Sequence, residues 1–366
     1  MQRRKLARCG DAVFLSVVSP HATTARRQVV LRSRSNKPMT PEETRQNLKS
    51  HVLHARFAEA ERLARQMRDD AQRENRQDVG AEASFFLGQC CFEQLRYQDA
   101  WDAFADTLAD RSELHGSNHL LTAHARAWLA AVSNSLDRRE ETRSLIERAK
   151  SGIPAEPAEN QRLVAADTLK AIGFVETRLN QIPRALEDLR RSLALVETAP
   201  DADELEVAGI CVVLGMAEQT AKNLDDAERY FQRALDIRVR VLGEDNQLVA
   251  YCRNHVGVAK MLRGNAGQAQ ELVDKSIAGL EALQADGSLA ASTTTNRGAM
   301  EVREEDHARA IDTLEKALLM KGGVDGEGPE VAQTLVMLGL MQLGFEQPDL
   351  AETHLRRAVK ILLPYH

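Results

Sequence analysis

At 366 residues and a net charge of −6, the chain is long enough for two or three ordinary domains, and its 43% apolar and 28% charged residues supply both a core and a solvated surface. The longest uncharged apolar runs, Val207 to Ala217 and Leu335 to Phe345, stop at about a dozen residues, short of the roughly 18 that cross a bilayer, which argues against a membrane span. Nine Lys/Arg and a single acid fall in residues 1 to 41, leaving the rest near −14, a balance that argues against a nucleic-acid surface on the folded part.

Residues 1–41 form a basic segment that is expected to be disordered. It is Arg-rich and acid-poor, and so resembles a mitochondrial transit peptide, whereas Met39 followed by TPEE, the favoured reading, is a true start with acids in the first helical turn. Cytoplasm is the expected location, with the mitochondrion as the alternative. From residue 42 onward the pattern is helical. No proline falls between Glu42 and Ile153, and later ones such as Pro154, Pro157, Pro200 and Pro329 lie between apolar-periodic segments.

A self-similar frame then runs along the chain, a small residue followed after eleven positions by Ala, then a large residue, then a second small one. A weak unit with Phe57, Ala60, Ala64 and Met67 precedes it. Clear units follow: Gly88, Ala100, Phe104, Thr107; Ala130, Thr142, Ile146, Ala149; Gly173, Ala185, Leu189, Ser192; Gly215, Ala227, Phe231, Ala234; Gly257, Ala269, Val273, Ser276; Gly298, Ala310, Leu314, Ala317; Gly339, Ala351, Leu355, Ala358. The leading positions advance by 42, 43, 42, 42, 41 and 41 residues. Glycine costs about 0.5–1 kcal/mol against alanine inside a helix, so its recurrence at the leading position predicts helices in close approach.

Between units, LGEDNQLVA at Leu242 to Ala250 and LHGSNHLLTA at Leu114 to Ala123 fall in one frame. Gly is expected to end one helix in the left-handed conformation and Asp or Asn to cap the next, which makes this stretch punctuation and not a ligand loop. In GEGPEVA, Pro329 falls near a first helical position.

The order of small and large residues resembles the tetratricopeptide repeat, and AERYFQRALDIRVRVLGEDNQLVA, with its period near 42, resembles the long, kinesin light chain-like type. The resemblance implies an all-α fold, a right-handed α-solenoid superhelix of antiparallel helix pairs, with about seven to eight repeats over residues 42–362 and a tail at 363–366. It also implies a concave groove lined by first helices, at positions 2, 5, 9, 12 and 13 when the leading residue is position 8. Those positions place Lys170, Phe174, Arg178, Met216, Gln219, Tyr251, Asn254, Met261 and Arg303 in the groove, beside Asp167, Val212 and Thr295. Asn254 would hydrogen-bond an extended peptide backbone, although the equivalent Phe85, Ala127, Lys170, Val212, Thr295 and Val336 make no asparagine ladder. Lys170, Arg178 and Arg303 would favour an acidic ligand.

Chemistry-bearing motifs are missing. There is no GxxxxGK[ST], GxGxxG, GxSxG or HExxH, so the expectation is no enzyme, no cofactor and no metal. The cluster Gly322, Gly323, Gly326 and Gly328 reads as an inter-repeat loop, His115, His119 and His124 as solvated surface histidines, and PDADELE at Pro200 to Glu206 as an acidic helix start. Five cysteines without a CxxC pair read as reduced thiols, with one of Cys90 and Cys91 packed and the other partly exposed. The face bearing Leu355, Val359 and Leu362 is expected to contact another subunit, or else the chain is a fragment of something larger. The expected function is a non-catalytic protein-protein interaction scaffold that binds a peptide or partner helix. The alternative is the sensory or regulatory arm of a signalling system with a kinase or nucleotide switch.

Overall fold

The computed structural model describes residues 40–283, 287–320, 329–345 and 347–363. They hold sixteen α-helices and no strand, arranged as antiparallel pairs, so the expected all-α solenoid class is what the chain adopts. The chain divides into two compact units that meet at Gly243 and Glu244.

The described part of the first unit contains α1 (Pro41–Leu53), α2 (Phe57–Arg73), α3 (Gln77–Glu93), α4 (Tyr97–His115), α5 (Leu120–Ser135), α6 (Arg139–Lys150), α7 (Arg162–Arg178), α8 (Ile182–Glu197), α9 (Glu204–Thr220) and α10 (Leu224–Leu242). Each odd-numbered helix packs on the even one that follows, α5 also packs on α7, and α7 on α9. Phe85, Phe92, Phe104, Trp128, Ile146 and Ile172 anchor a core cluster that runs from α3 to α7. The second unit holds α11 (Gln247–Leu262), α12 (Ala266–Ala282), α13 (Gly287–Arg303), α14 (His307–Met320), α15 (Pro329–Gly344) and α16 (Pro348–Leu362). Its core runs through Val258, Met300, Leu314, Leu335 and Leu338.

The leading small residue of each repeat is where the paired helices touch. A methyl group added at Gly215 would lie 2.6 Å from the Phe231 ring, one at Gly173 2.5 Å from Leu189, and one at Gly298 2.8 Å from Leu314. No side chain fits there, which is why glycine recurs in spite of its helix cost. Where Ala130 takes the position, Ile146 stands opposite. The closing small residue has a second use. Ser192 Oγ donates to the Ala166 carbonyl at 2.6 Å and Ser276 Oγ to the Ala250 carbonyl at 2.7 Å, each tying a second helix to the start of its first.

Within the first seven pairs the chain turns through one residue of positive φ: Ala55, Leu95, Asp137, Asn180, Lys222, Gly264 and Glu305. The amide three positions past the helix end reaches back to the last turn, as in Asn223 N to Glu218 O at 2.9 Å. Only Gly264 adopts this backbone without a Cβ penalty, so Lys222→Gly is expected to raise stability by roughly 0.5–1 kcal/mol, read as a higher urea midpoint.

Gly243 and Gly116 end α10 and α4 as the sequence frame implies, but at φ 80, ψ 166 and φ 88, ψ 163. This is the extended positive-φ region open to glycine alone, not the left-handed helical one that was expected. Asn246 then caps α11 by accepting from Leu248 N at 2.8 Å, and His119 caps α5 by accepting from Leu121 N at 3.2 Å. Asp203 and Glu206 form a capping box on α9, so PDADELE is a helix start. The first α-helical residue of α15 is Pro329.

Two expectations are corrected here. Cys90 and Cys91 are both buried, because α3 is covered on nearly every side. Leu355 packs on Gly339 and Leu362 on the core, so of the three residues expected on an outer C-terminal face only Val359, 57% exposed, points outward. The strongly exposed apolar residues of the second unit are instead Leu319, Leu343, Leu350, Val359 and Leu363. The basic segment up to Met39, the glycine cluster at Gly322 to Gly328 and the end of the tail at Pro364 to His366 lie outside the described residues.

Candidate functional site

Asp167 organises a polar cluster on α5 and α7 of the first unit. It sits one and a half turns before Gly173 on α7, and His124 holds the same repeat position on α5, so the stacking of these helices brings the two together. Asp167 Oδ2 accepts from His124 Nε2 at 2.7 Å and from the Trp128 indole N–H at 2.8 Å, while Oδ1 accepts from Lys170 Nζ. Three donors from two helices therefore converge on one carboxylate. Lys170 Nζ also lies 5.6 Å from the Trp128 ring centroid, and Trp128 stacks on Phe104.

Phe85, on α3, extends the cluster, with its ring 4.3 Å from that of His124. The Arg111 guanidinium also lies over the Phe85 ring, 4.6 Å from its centroid, with Nη1 3.5 Å from His124 Nδ1, and donates to the Leu121 carbonyl at 3.0 Å. His124 is 7% exposed, which corrects its reading as a solvated histidine. His115 and His119 do stack at the surface turn, 4.7 Å apart. Among the described residues, no group of three His, Cys, Asp or Glu side chains is placed to hold a metal.

The charges follow from this geometry. Burial opposes ionisation of Asp167, but Lys170 and the His124 hydrogen bond hold its pKa well below the usual carboxylate range. Burial likewise opposes the charge of Lys170, and Asp167 outweighs it and raises the pKa. Burial lowers the pKa of His124 in spite of Asp167, so the ring is neutral, with Nε2–H donating to the carboxylate. Glu93, at the end of α3, differs. Burial pushes its pKa up to about 7, Lys170 and Arg238 only partly offset that, and Asp167 adds to it.

A carboxyl whose folded pKa exceeds its unfolded value of about 4.5 binds its proton more tightly when folded. Its contribution to stability is present below pH 4.5 and is lost as pH rises through 7. Glu93→Gln is therefore expected to leave the urea midpoint nearly unchanged at pH 5 and to raise it at pH 8. An equal shift at both pH values would refute the assignment.

The residues expected in the groove divide into three groups. Lys170 and Phe174 are half-buried on α7, and Lys170 belongs to the Asp167 cluster. Met216, Gln219, Tyr251, Asn254 and Met261 are buried, at 5%, 9%, 4%, 5% and 3% exposure. Arg178 and Arg303 are exposed at helix ends. Asn254 Oδ1 accepts from Asn296 Nδ2 at 3.1 Å, so part of its amide is engaged within the fold. The acidic-ligand reading of Lys170 fails in the simple form, because its ammonium already faces Asp167. As members of this cluster, His124 (read as solvated), Trp128, Phe85 (placed at position 5 without a role) and Glu93 were missed. Their repeat positions, 2, 6, 5 and 13, were available in the frame, and three of these are groove positions.

Residues 210–282 and 289–363 match the tetratricopeptide repeat family. No curated protein sequence matches the chain. Among solved structures, the apo quorum sensor NprR from B. thuringiensis is 13% identical, with 88% of this chain and 87% of that chain covered and a TM-score of 0.59. A Rap protein complexed with competence and sporulation factor is 12% identical, covering 89% and 99% at 0.57. A signal transduction ATPase with a tetratricopeptide repeat sensor, from Pyrococcus horikoshii, is 10% identical, covering 89% of this chain and 48% of that one at 0.56. These likenesses are of fold.

Proposed function

This chain is a tetratricopeptide repeat protein, and we propose that it is a non-catalytic interaction scaffold whose first unit holds a peptide or partner helix along the inner face of α3, α5, α7 and α9. The observation that carries this is the convergence of His124, Trp128 and Lys170 on Asp167 across two repeats. Such a network is costly to assemble, and Lys170 and Asp167 keep partly exposed side chains, 28% and 25%, at its edge. A Rap protein of similar fold has been solved complexed with competence and sporulation factor, which supports a ligand-binding reading of this fold. The 42-residue period supports the long, kinesin light chain-like repeat, and a cytoplasmic setting is our reading, with the mitochondrion as the alternative.

Affinity purification followed by mass spectrometry tests the assignment, comparing wild type with Lys170→Ala and with the pair Asn254→Ala and Arg303→Ala. Loss of the same partner from Lys170→Ala supports the first unit, and retention of every partner by both variants overturns the groove reading. A sensory or regulatory arm is the second reading, favoured by the likeness to a repeat sensor attached to an ATPase. Self-association through the exposed apolar residues around Val359 is open to sedimentation at several concentrations, where a strictly monomeric species would rule it out.

A further inference from the structure

In a repeat array each repeat touches its neighbours in sequence, so contact between distant repeats marks a place where the array has closed on itself. The first unit contains such a contact. Lys49 Nζ on α1 lies 3.1 Å from Glu206 Oε1 on α9, joining the first helix pair to the fifth. The side chains are 39% and 21% exposed.

Each partner is held in place by its own end of the unit. On α1, Leu48 is fully buried, and Arg45 grips Glu82 of α3 through two bonds of 2.7 Å, so α1 is fastened to its sequence neighbours. On α9, Glu206 Oε2 accepts from Asp203 N at 2.9 Å in the capping box, which leaves Oε1 for Lys49. Glu206 stands on α9, which packs on the α7 that carries Lys170 and Asp167, and its charge acts on Lys170 together with those of Asp167 and Glu93.

We propose that the Lys49–Glu206 pair is a reversible seam that closes the inner face over the Asp167 cluster, and that a ligand gains entry when the first and fifth repeats part there. This rests on the groove reading above and adds a regulation to it. An ion pair this exposed is weak, so the seam opens readily and is sensitive to salt. Because α1 is fastened to α3, opening is a change of pitch spread over the intervening helix pairs, with α1 still folded. A seam of this kind admits an extended peptide segment more readily than a bulky preformed helix.

Distances between nitroxide labels read this directly without any ligand, in full-length protein carrying Cys9→Ser. One label pair, at Gln46→Cys and Glu204→Cys, spans the seam, and a second, at Gln46→Cys and Asp78→Cys, reports α1 against α3; all three sites are exposed. Lys49→Glu sets two carboxylates face to face, while Glu206→Gln removes the charge and keeps a side chain that can complete the capping box. Both are expected to raise the long-distance population of the first pair by about five-fold, with the second pair unchanged. Unchanged seam distances in both variants would overturn the proposal. Lengthening of both pairs would also overturn it, since α1 itself would then have detached. Failure to find a groove partner would leave these distances untouched, so the two readings fail separately.

Discussion

Phe231→Ala is expected to destabilise the first unit by about 3–5 kcal/mol, read as a large drop in the urea or thermal midpoint. Phe231 is fully buried and its ring lies against Gly215 of α9. The converse change should also destabilise. Gly215→Ala removes a helix penalty of about 1 kcal/mol but drives a methyl group to 2.6 Å from the Phe231 ring, and overpacking of this kind costs about 1–3 kcal/mol. The pair Gly215→Ala with Phe231→Ile recreates the Ala130 and Ile146 combination found two repeats earlier, and should be less destabilised than the two single changes together. Strict additivity would show that the close approach is not what selects glycine.

Asp167→Ala should cost about 2–3 kcal/mol and abolish partner binding through the inner face. It leaves Lys170, His124 and the Trp128 N–H without their shared acceptor, and the loss of one partner from a buried ion pair typically costs about 3–5 kcal/mol. The smaller figure reflects the side chain of Asp167, which is a quarter exposed, so water replaces part of what is lost. Asp167→Asn separates the two effects: it keeps the shape and one acceptor oxygen, so it should retain more stability than Asp167→Ala while still weakening partner binding. Denaturation midpoints and recovery of the partner by affinity purification provide the two readouts.

The helix pairs, their period and their frame were readable in the sequence because each rests on local rules. Glycine followed sixteen residues later by Phe231, Leu189 or Leu314 records a contact between consecutive helices, and Asn246 or Asp203 records a cap. Position along the helix was a poorer guide to exposure. Asn254, Met216 and Tyr251 fall at the expected groove positions and are nonetheless buried, and His124, read as solvated, is sealed between Phe85 and Asp167. The left-handed residues Leu95 and Lys222 carried no glycine signal, because the reach of the following amide back into the helix imposes the turn whatever the side chain.

The sequence alone therefore determined the helix pairs and where they touch, since those contacts lie within one repeat and recur with its period. Only the tertiary structure decided which charges meet. His124 and Asp167 stand 43 positions apart and belong to different repeats, and Lys49 and Glu206 belong to the first and the fifth. The first pair follows from the stacking of adjacent repeats and the second from the rise and rotation accumulated over several, and neither is recorded in a local pattern of residues.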